Sequence, residues 1–280
     1  MSNSVLAIVI SFNDGPALMA TVTALLPQVE KLVVIDNGSN DATLDCIEKL
    51  KNNFGIFSVC LHENSGIGAA LNIGVSIALK ENFTWILTMD QDSIASPKMV
   101  SEMLICAKNR HDAGVICPSW SVIRSKKEYG DCVVSSAITS GNLVRVDIFK
   151  IIGKYNESYF IDAVDFEFSL RVRNYGYKIV RCNSSVLHHK LGEVRIFFLF
   201  GYLYSYTSHS PLRRYYIYRN HMYLVSEFWY KNPVFIVKKS IISLIYLFEL
   251  ALFDARRFDN FKMIFKGIID FWRSKKGVYE

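Results

Sequence analysis

Apolar runs and polar breaks alternate along the first 90 residues with the spacing of short strands and longer helices. Four runs rich in Val, Ile and Leu predict buried strands: VLAIVISF (5–12), KLVVID (31–36), IFSVCLH (56–62) and TWILTMD (84–90). The stretches between them open on Gly, Pro, Asn or Asp and have the length of helices. This alternation predicts an α/β fold, with a mostly parallel sheet flanked by helices on both faces.

The chain is less regular after residue 113. AGVICPSW predicts a further strand, and the residues up to SSAITSGNLVRV predict strands joined by loops. DAVDFEFSLRVRNYGYKI (162–179) predicts a helix that ends near Gly176 and leads into another strand.

The last part of the chain, residues 226–280, is predicted to be a helical segment that follows an α/β domain over residues 1–225. Its long apolar stretch is interrupted by Lys238, Lys239 and Glu249, so no run is long enough to predict a membrane span. Tyr, Trp and Phe beside Lys and Arg are typical of helices that lie in a membrane interface. A terminal helical hairpin packed on the domain is the alternative, and the sequence leaves both open.

Charge and cysteine content limit the class of protein. The 280 residues carry a formal net charge of +6, which suits contact with phosphates or anionic lipid but is too mild for a nucleic-acid-binding protein. The six cysteines are scattered, without a CxxC pair or the spacing of a zinc site, which predicts reduced thiols in an intracellular protein. The start, MSNSVLAIVISFNDG, has no basic leader and predicts a buried strand, not a signal peptide.

Three of the predicted strands end in polar residues, where ligands bind in open sheets of this kind. Asp90 and Asp92 follow the fourth strand, and such a pair can hold Mg²⁺ or Mn²⁺ against a diphosphate, although a solvated turn has the same pattern. Asp36 ends the second strand and can accept a hydrogen bond from a base or a ribose. A capping role for the polar cluster around it is the alternative.

The segment ENSGIG follows the third strand and brings Gly-rich backbone to the start of a helix. Backbone N–H groups and the helix dipole favour anions at such a position. A tight turn that needs glycine is the alternative. The segment is neither a P-loop nor a complete GxGxxG motif, so ATP-driven or NAD chemistry is not indicated.

Taken together, VLAIVISFN, VVIDNGSNDAT, ENSGIGAALNIG and WILTMDQDS resemble the family 2 glycosyltransferases of the GT-A fold in order and spacing. FIDAVDFEFSLRVRNYGYKI resembles the helix that carries the catalytic acid in that family, and LHHKLGE resembles the segment after it. TMDQDS, HKLG and RRYYIYRN resemble the rhamnosyltransferase branch that builds bacterial O-antigen and other surface polysaccharides. The resemblance covers roughly residues 4–225.

The resemblance implies transfer of a sugar from a nucleotide diphosphate to an acceptor hydroxyl, with inversion. The residues assigned on this basis to the nucleotide-sugar are Asn13, Asp36, Asn64, Gly66 and Asp90. Asp92 and His189 are assigned to Mg²⁺ or Mn²⁺, with Asp92 as the direct ligand.

Three acids compete for the role of general base: Asp162, Asp165 and Glu167. The resemblance favours Asp165. Asp162 and Asp165 are predicted to share one face of a helix, and Glu167 is predicted to form a surface ion pair with Arg171. Acids near a helix start also suit its dipole without any catalytic role.

Asp162 and Arg219 are assigned to the acceptor or to a phosphate. Arg213 and Arg214 have the same potential, because guanidinium groups match phosphate oxygens. A solvated basic face, with tyrosine rings packed below it, is the alternative for these arginines.

The branch resemblance implies dTDP-rhamnose as the donor and a polyprenyl-diphosphate-linked glycan as the acceptor. It places the protein in the cytoplasm, peripherally bound to the inner face of the cell membrane, with no nucleic-acid partner. A UDP-hexose is the alternative donor, and a non-catalytic scaffold of polysaccharide assembly is the alternative outside the enzymes. A nucleotidyltransferase is disfavoured because ISFNDGPALM, after the first strand, contains no Lys or Arg.

Overall fold

The structure, a computed structural model, describes residues 3–120, 130–189, 194–199 and 202–279, with the backbone alone at 189, 194–199 and 202–207. Residue contacts divide the chain into two compact units. Unit 1 contains the chain up to Glu157 together with Val164–His189, and unit 2 contains Ser158–Ala163 together with the chain after His189. The division into residues 1–225 and 226–280 stays a prediction, and position 225 falls within the helix Pro211–Phe228.

Unit 1 is an α/β unit. Its described strands are β1 (Val5–Ser11), β2 (Lys31–Asp36), β3 (Phe57–Cys60), β4 (Trp85–Asp90), β5 (Ser93–Ala95), β6 (Ala113–Trp120), β7 (Cys132–Val134), β8 (Asn142–Arg145) and β9 (Lys178–His189). Its described helices are α1 (Gly15–Leu25), α2 (Asp41–Phe54), α3 (Ile67–Lys80), α4 (Met99–Asn109), α5 (Ile148–Ile152) and α6 (Val164–Asn174). The four strands predicted in the first 90 residues are confirmed, with β3 shorter at both ends than its apolar run.

The strands of unit 1 form one sheet in the order β3-β2-β1-β4-β8-β6-β9-β5, and β7 pairs with β9. The predicted parallel arrangement is confirmed for β3, β2, β1 and β4. β8 runs antiparallel to both of its neighbours, so the sheet as a whole is mixed. The carboxyl ends of β2, β1 and β4 therefore lie side by side at one edge.

The core of unit 1 lies on both faces of this sheet. Consecutive residues of β1 from Val5 to Val9 are buried, which requires a covered surface on each side of the strand. Val5, Ala7 and Val9 belong to the same apolar cluster as residues of α1. On the opposite face of β1, a Cβ added to Gly74 of α3 would lie 2.4 Å from the Ile8 side chain, so α3 packs directly on the strand.

The helix boundaries follow local capping. The Asp14 side chain accepts a hydrogen bond from the Ala17 N–H at 3.3 Å, and Pro16 occupies the first turn of α1, as predicted. α2 begins after Asn40 and ends at Gly55, which has a left-handed φ of 63°.

Unit 2 contains a two-stranded antiparallel sheet, β10 (Val194–Leu199) and β11 (Tyr202–Thr207), and three helices, α7 (Pro211–Phe228), α8 (Pro233–Phe253) and α9 (Arg257–Trp272). α7 and α9 approach each other closely at Gly267. A Cβ on this residue would lie 2.6 Å from the Tyr215 carbonyl oxygen. Tyr218, Leu250 and Ile264, one from each helix, form a small shared core.

Candidate active site

Asp36 ends β2 fully buried and holds the turn that leads into α2. Its Oδ2 accepts a hydrogen bond from the Ser39 N–H at 2.9 Å, and its Oδ1 accepts one from the Ser39 hydroxyl. The N-cap of α2 is Asn40, whose side chain accepts from the Thr43 N–H at 3.1 Å. Asp36 thus fixes the turn, and the cap is a different residue. Its contact with a base or ribose stays a prediction, compatible with the remaining lone pairs of the carboxylate.

Asn13 joins the end of β1 to the same turn. Its backbone has a left-handed φ of 56°, which asparagine tolerates better than most residues. Its N–H donates to Ser39 Oγ at 3.0 Å, and its Oδ1 accepts from the Asn40 N–H at 2.8 Å. The loops after these two neighbouring parallel strands are therefore hydrogen-bonded into one surface.

Asn64 and Gly66 shape the start of α3. Asn64 Oδ1 accepts hydrogen bonds from Asn37 Nδ2 and from the Gly66 N–H, both at 3.0 Å. Gly66 is the N-cap of α3 with a φ of 86°, and no side chain forms a capping hydrogen bond there. The first-turn N–H groups of a helix point away from it and favour an anion, so the geometry expected for a diphosphate contact is present.

Gly38, which the sequence analysis did not single out, controls how closely these loops approach. Its φ is +80°, and a Cβ at this position would lie 2.5 Å from the Glu63 carbonyl carbon and 2.8 Å from the Asn64 nitrogen. The loop after β2 can therefore reach the loop after β3 only with glycine at residue 38. The sequence signal was available in the NGS tripeptide after a strand, which commonly marks a tight turn.

Asp90 closes β4, and Asp92 lies in the turn between β4 and β5; both are half-buried. The residue between them is clamped, because the Gln91 side chain accepts from the Phe12 N–H at 2.7 Å and donates to the Phe12 carbonyl at 2.8 Å. The Thr21 hydroxyl of α1 lies 2.6 Å from the Gln91 carbonyl oxygen. These contacts fix the turn to the end of β1 and to α1.

Ser140 supports the same turn from the other side. Its Oγ accepts from the Asp90 N–H at 3.1 Å and lies 2.8 Å from Ser93 Oγ, and its side chain is almost fully buried. A serine in SAITSGN carries no distinguishing pattern, so sequence reasoning missed it.

His189 is brought near the acids by strand register. Ser93 of β5 pairs with His189 at the end of β9, so the histidine lies opposite the residue that follows Asp92. The rest of the HKLG motif, residues 190–192, lies outside the described residues. The role of His189 as a metal ligand stays a prediction, compatible with this backbone position.

Asp165 and Glu167 both lie in the first turn of α6 but in different surroundings. Asp165 is half-buried, and its Oδ1 accepts from the Phe166 N–H at 2.8 Å. Glu167 is only 1% exposed and forms a two-bond ion pair with Arg171, whose guanidinium also donates to the carbonyls of Ile152 and Lys154. The predicted pair is thus present but buried, where it was expected at the surface.

Asp162 is not on the helix, contrary to the prediction that it shares a helix face with Asp165. α6 begins at Val164, and Phe160, Asp162 and Ala163 have left-handed φ values near 60°. The Asp162 carboxylate forms a bidentate ion pair with Arg213 of α7 at 3.1 and 3.2 Å, within unit 2. Its role toward an acceptor stays a prediction, and the base role is better matched by Asp165.

Arg219 is fully buried in unit 2 and binds protein carbonyls. Its guanidinium donates to Gly277 at 2.8 Å and to Tyr159 at 3.3 Å, and it lies over the rings of Tyr215 and Tyr216. A phosphate could reach it only after these bonds break. The role of Arg219 toward an acceptor or a phosphate stays a prediction, which this burial disfavours.

A cavity of about 180 Å³ adjoins the two groups of acids in unit 1. It contains Ser140, which binds the Asp90 N–H, and Phe166, whose N–H binds Asp165. The other lining residues are Cys117, Pro118, Ser119, Trp120, Val134, Ser136, Ala137, Ile138, Asn142 and Arg181. Its lining combines apolar and aromatic side chains with hydroxyl groups, an amide and the guanidinium of Arg181, a combination that can accommodate a sugar.

Two groups of residues could hold a cation. Asp90 and Asp92 supply the two carboxylates that Mg²⁺ or Mn²⁺ takes from a protein when a diphosphate and waters complete the shell. Among the described residues, one further group brings three ligand types together: Cys106, Asp131 and Cys182. It contains none of the strand-end acids.

Sequence comparison finds similarity to glycosyltransferases. Residues 6–132 match the model of glycosyl transferase family 2. The chain is 29% identical over 251 residues to the dTDP-rhamnosyl transferase RfbF of Shigella flexneri, covering 81% of each protein. It is 33% identical over 76 residues to the poly-beta-1,6-N-acetyl-D-glucosamine synthase of Staphylococcus aureus, covering 27% of this chain and 18% of that one.

Solved structures show the fold. GalNAc-T7, crystallised with UDP, GalNAc and Mn²⁺, superposes with a TM-score of 0.63 at 15% identity, over 97% of this chain and 57% of that one. TarS of S. aureus superposes with a TM-score of 0.53 at 17% identity, over 95% of this chain and 43% of that one. The predicted GT-A fold is confirmed, and the chain spans only about half the length of these two proteins.

Proposed function

We propose that this chain, whose residues 6–132 match the model of glycosyl transferase family 2, is a glycosyltransferase that transfers L-rhamnose from dTDP-rhamnose to a hydroxyl group of a lipid-linked glycan, with inversion. The observation that carries the choice of donor is the similarity to a dTDP-rhamnosyl transferase along 81% of both chains. The role that we propose in O-antigen or related surface polysaccharide synthesis is supported by the resemblance of TMDQDS, HKLG and RRYYIYRN to that branch of the family.

The donor nucleotide would lie along the joined loops after β1, β2 and β3. Asn13 is exposed there and Asp36 orders the turn from its buried position, and we assign both to the base or ribose. The N-terminus of α3 at Gly66 would face the diphosphate. Asp90 and Asp92 hold the donor from the end of β4, the neighbouring strand. The donor sugar would then lie beside β4, between the loops that bind the nucleotide and the cavity.

Mg²⁺ or Mn²⁺ bound by Asp92, with His189 as a further ligand, would offset the charge that develops on the leaving diphosphate. The protein's own contribution is to hold the two carboxylates at a fixed turn. Gln91, Thr21 and Ser140 provide that support through the hydrogen bonds described above.

Asp165 is the proposed general base. It takes the proton from the acceptor hydroxyl while the acceptor oxygen attacks the anomeric carbon and the bond to the diphosphate breaks. Glu167 is a poor candidate because its carboxylate is buried and paired with Arg171. The acceptor sugar would occupy the cavity of Ser119, Trp120 and Ser136, which adjoins Asp165 through Phe166.

The proposal is tested by donor turnover on a panel. Purified protein is incubated with dTDP-rhamnose, UDP-glucose, UDP-galactose, UDP-N-acetylglucosamine or GDP-mannose, with Mn²⁺ or with EDTA, and with or without a polyprenyl-linked glycan extract. Release of dTDP from dTDP-rhamnose, lost with EDTA, is the expected result. Turnover of a UDP-hexose instead would replace the donor, and nucleotide binding without turnover of any donor would favour the scaffold.

We also propose that unit 2 binds the inner membrane surface. Seven of the eight exposed large apolar residues of α8 recur at helical spacing and form one stripe: Val234, Val237, Ile241, Leu244, Ile245, Phe248 and Leu252. The eighth, Tyr246, lies outside this stripe. Lys238 is exposed beside this stripe, which suits anionic lipid headgroups. The binding that we propose is peripheral. Among the described residues no helix is both long and apolar enough to cross a bilayer.

A further inference from the structure

We propose that Cys106, Asp131 and Cys182 form a binding site for a zinc ion, distinct from the strand-end acids. One ligand atom from each residue, two Sγ and one carboxylate oxygen, lies within 4.8 Å of the others. Their separation in the chain gives no zinc motif, which is why the sequence predicted only scattered reduced thiols. The fold alone brings them together.

Each ligand comes from a different part of unit 1. Cys106 lies in α4, Cys182 lies in β9, and Asp131 immediately precedes β7. The two cysteines are 2% and 1% exposed, whereas Asp131 is exposed. The packed core therefore fixes two ligands, and the third closes the site from the solvent side, where an ion can enter and a water can complete the shell.

The position of Asp131 is set by β9 itself. Cys132 of β7 pairs with Arg181, the residue before Cys182. The Asn183 N–H donates to Asp131 Oδ1 at 3.2 Å, and Asn183 Nδ2 donates to the Gly130 carbonyl at 2.6 Å. The carboxylate is thus aligned beside the thiols by backbone pairing on one side and by an asparagine on the other.

The ligand set selects zinc over the cations proposed for the strand-end acids. Two thiolates and a carboxylate suit Zn²⁺, whereas Mg²⁺ and Mn²⁺ prefer oxygen ligands. With Zn–S bonds of about 2.3 Å, tetrahedral geometry places two sulfur ligands roughly 3.8 Å apart. The observed limit of 4.8 Å therefore requires a contraction of no more than about 1 Å. Binding releases the thiol protons to solvent.

Such an ion would fasten the start of the segment that runs from Gly130 to Ser140. That segment ends at the hydroxyl group that accepts the Asp90 N–H at 3.1 Å. The site is therefore structural, and it supports the turn of the strand-end acids from a distance along the chain.

The test is metal binding by the intact chain. Protein is purified under reducing conditions, treated with a chelator, and titrated anaerobically with Co²⁺ and then with Zn²⁺. The expected result is a thiolate-to-cobalt charge-transfer band with the visible spectrum of tetrahedral cobalt, displaced by about one zinc per chain. Zinc should also raise the Tm of the chelator-treated protein.

Variants locate the ion. Cys182→Ser should abolish the charge-transfer band or weaken it severely, and Cys60→Ser, which removes an exposed thiol outside the cluster, should leave it unchanged. Asp131→Asn changes an exposed side chain, so it should fold normally and bind zinc at least ten-fold more weakly. The proposal fails if the wild type shows no cobalt spectrum, if Asp131→Asn and Cys182→Ser bind as the wild type does, or if the two thiols are recovered as a disulfide that binds no metal.

Discussion

Replacing Asp165 and Glu167 one at a time separates the chemistry of α6 from its stability. The two acids are two residues apart in the first turn of the same helix, so each variant is a control for the other. We expect Asp165→Asn to lose turnover while its Tm falls by no more than about 4 °C. We expect Glu167→Gln to lose stability while keeping its turnover per folded molecule.

The magnitudes follow from the surroundings of each carboxylate. Glu167 is 1% exposed and Arg171 is 17% exposed, and breaking a buried ion pair costs about 3–5 kcal/mol. Arg171 keeps its bonds to the carbonyls of Ile152 and Lys154, so the cost lies at the lower end, about 3 kcal/mol. For a chain of this size that corresponds to a fall in Tm of roughly 6–12 °C.

Asp165→Asn removes the proton acceptor but keeps an oxygen that can bind the Phe166 N–H. Loss of a general base lowers the rate by about 10²–10⁴-fold. Loss of a charge near the helix start costs only about 0.3–1 kcal/mol. Release of dTDP from dTDP-rhamnose with acceptor present measures the rate, and a thermal melt of each variant measures the stability.

Either of two results would refute this reasoning. Normal turnover by Asp165→Asn would remove it from the base role. A rate loss by Glu167→Gln, measured at a temperature where it is folded and with an unchanged Tm, would show that burial and ion pairing do not exclude Glu167 from the chemistry.

Three further expectations concern other parts of the chain. Gly38→Ala combines a left-handed φ with a Cβ only 2.5 Å from the Glu63 carbonyl carbon, and it should abolish nucleotide binding measured by calorimetry. Gly55→Ala, also left-handed but with nothing within 4 Å of its Cβ, should bind normally. Burial lowers the pKa of His209 from 6.5 to about 4. Between these two pH values the unfolded chain binds a proton that the folded chain does not, so stability is lost as the pH falls from about 6.5 to about 4. The slope of Tm against pH in this range should therefore be flatter in His209→Asn. In flotation with anionic vesicles, the wild type should bind and be released by high salt, and Phe248→Asp should bind several-fold more weakly. The control Ile105→Asp changes an exposed apolar position in unit 1 and should bind like the wild type. Equal binding by all three proteins would contradict the membrane proposal.

The first half of the fold was predictable because burial on both faces leaves an uninterrupted apolar run. β1, β2 and β4 lie in the interior of the sheet with helices on each side, so the runs of Val, Ile and Leu mark them directly. Capping residues such as Asp14 and Asn40 act on amides three residues away, within reach of a local pattern. The antiparallel pairing of β8 with β4 and β6 was not predictable, because the residue pattern of a strand does not indicate whether it runs parallel or antiparallel to its neighbours.

The start of α6 shows why the rest of the site was harder to predict. The pattern suggested a helix from residue 162, but Asp162 and Ala163 are left-handed. The Asn220 side chain donates to the carbonyls of Tyr159, Ile161 and Asp162 at 2.8, 2.7 and 3.1 Å and so holds this conformation from a distant position in the chain. The neighbouring Arg219 also binds backbone carbonyls of distant residues, those of Tyr159 and Gly277. Arginine is usually exposed, so the residue type did not indicate that this side chain is buried.

The turn of Asp90 and Asp92 was predictable in part: the acids were visible in the sequence, but the contacts that hold them were not. The two acids were visible in the sequence because like charges one residue apart are costly unless a cation or water separates them. What holds them was not visible, since Gln91, Thr21 and Ser140 are ordinary polar residues whose partners are defined only by the fold. These hydrogen bonds fix the backbone of the turn before a ligand binds. Binding of a diphosphate or a cation therefore does not carry the entropy cost of ordering the turn, and the affinity is higher by that amount. Residues that hold the turn without touching a ligand should therefore matter to function nearly as much as the acids themselves.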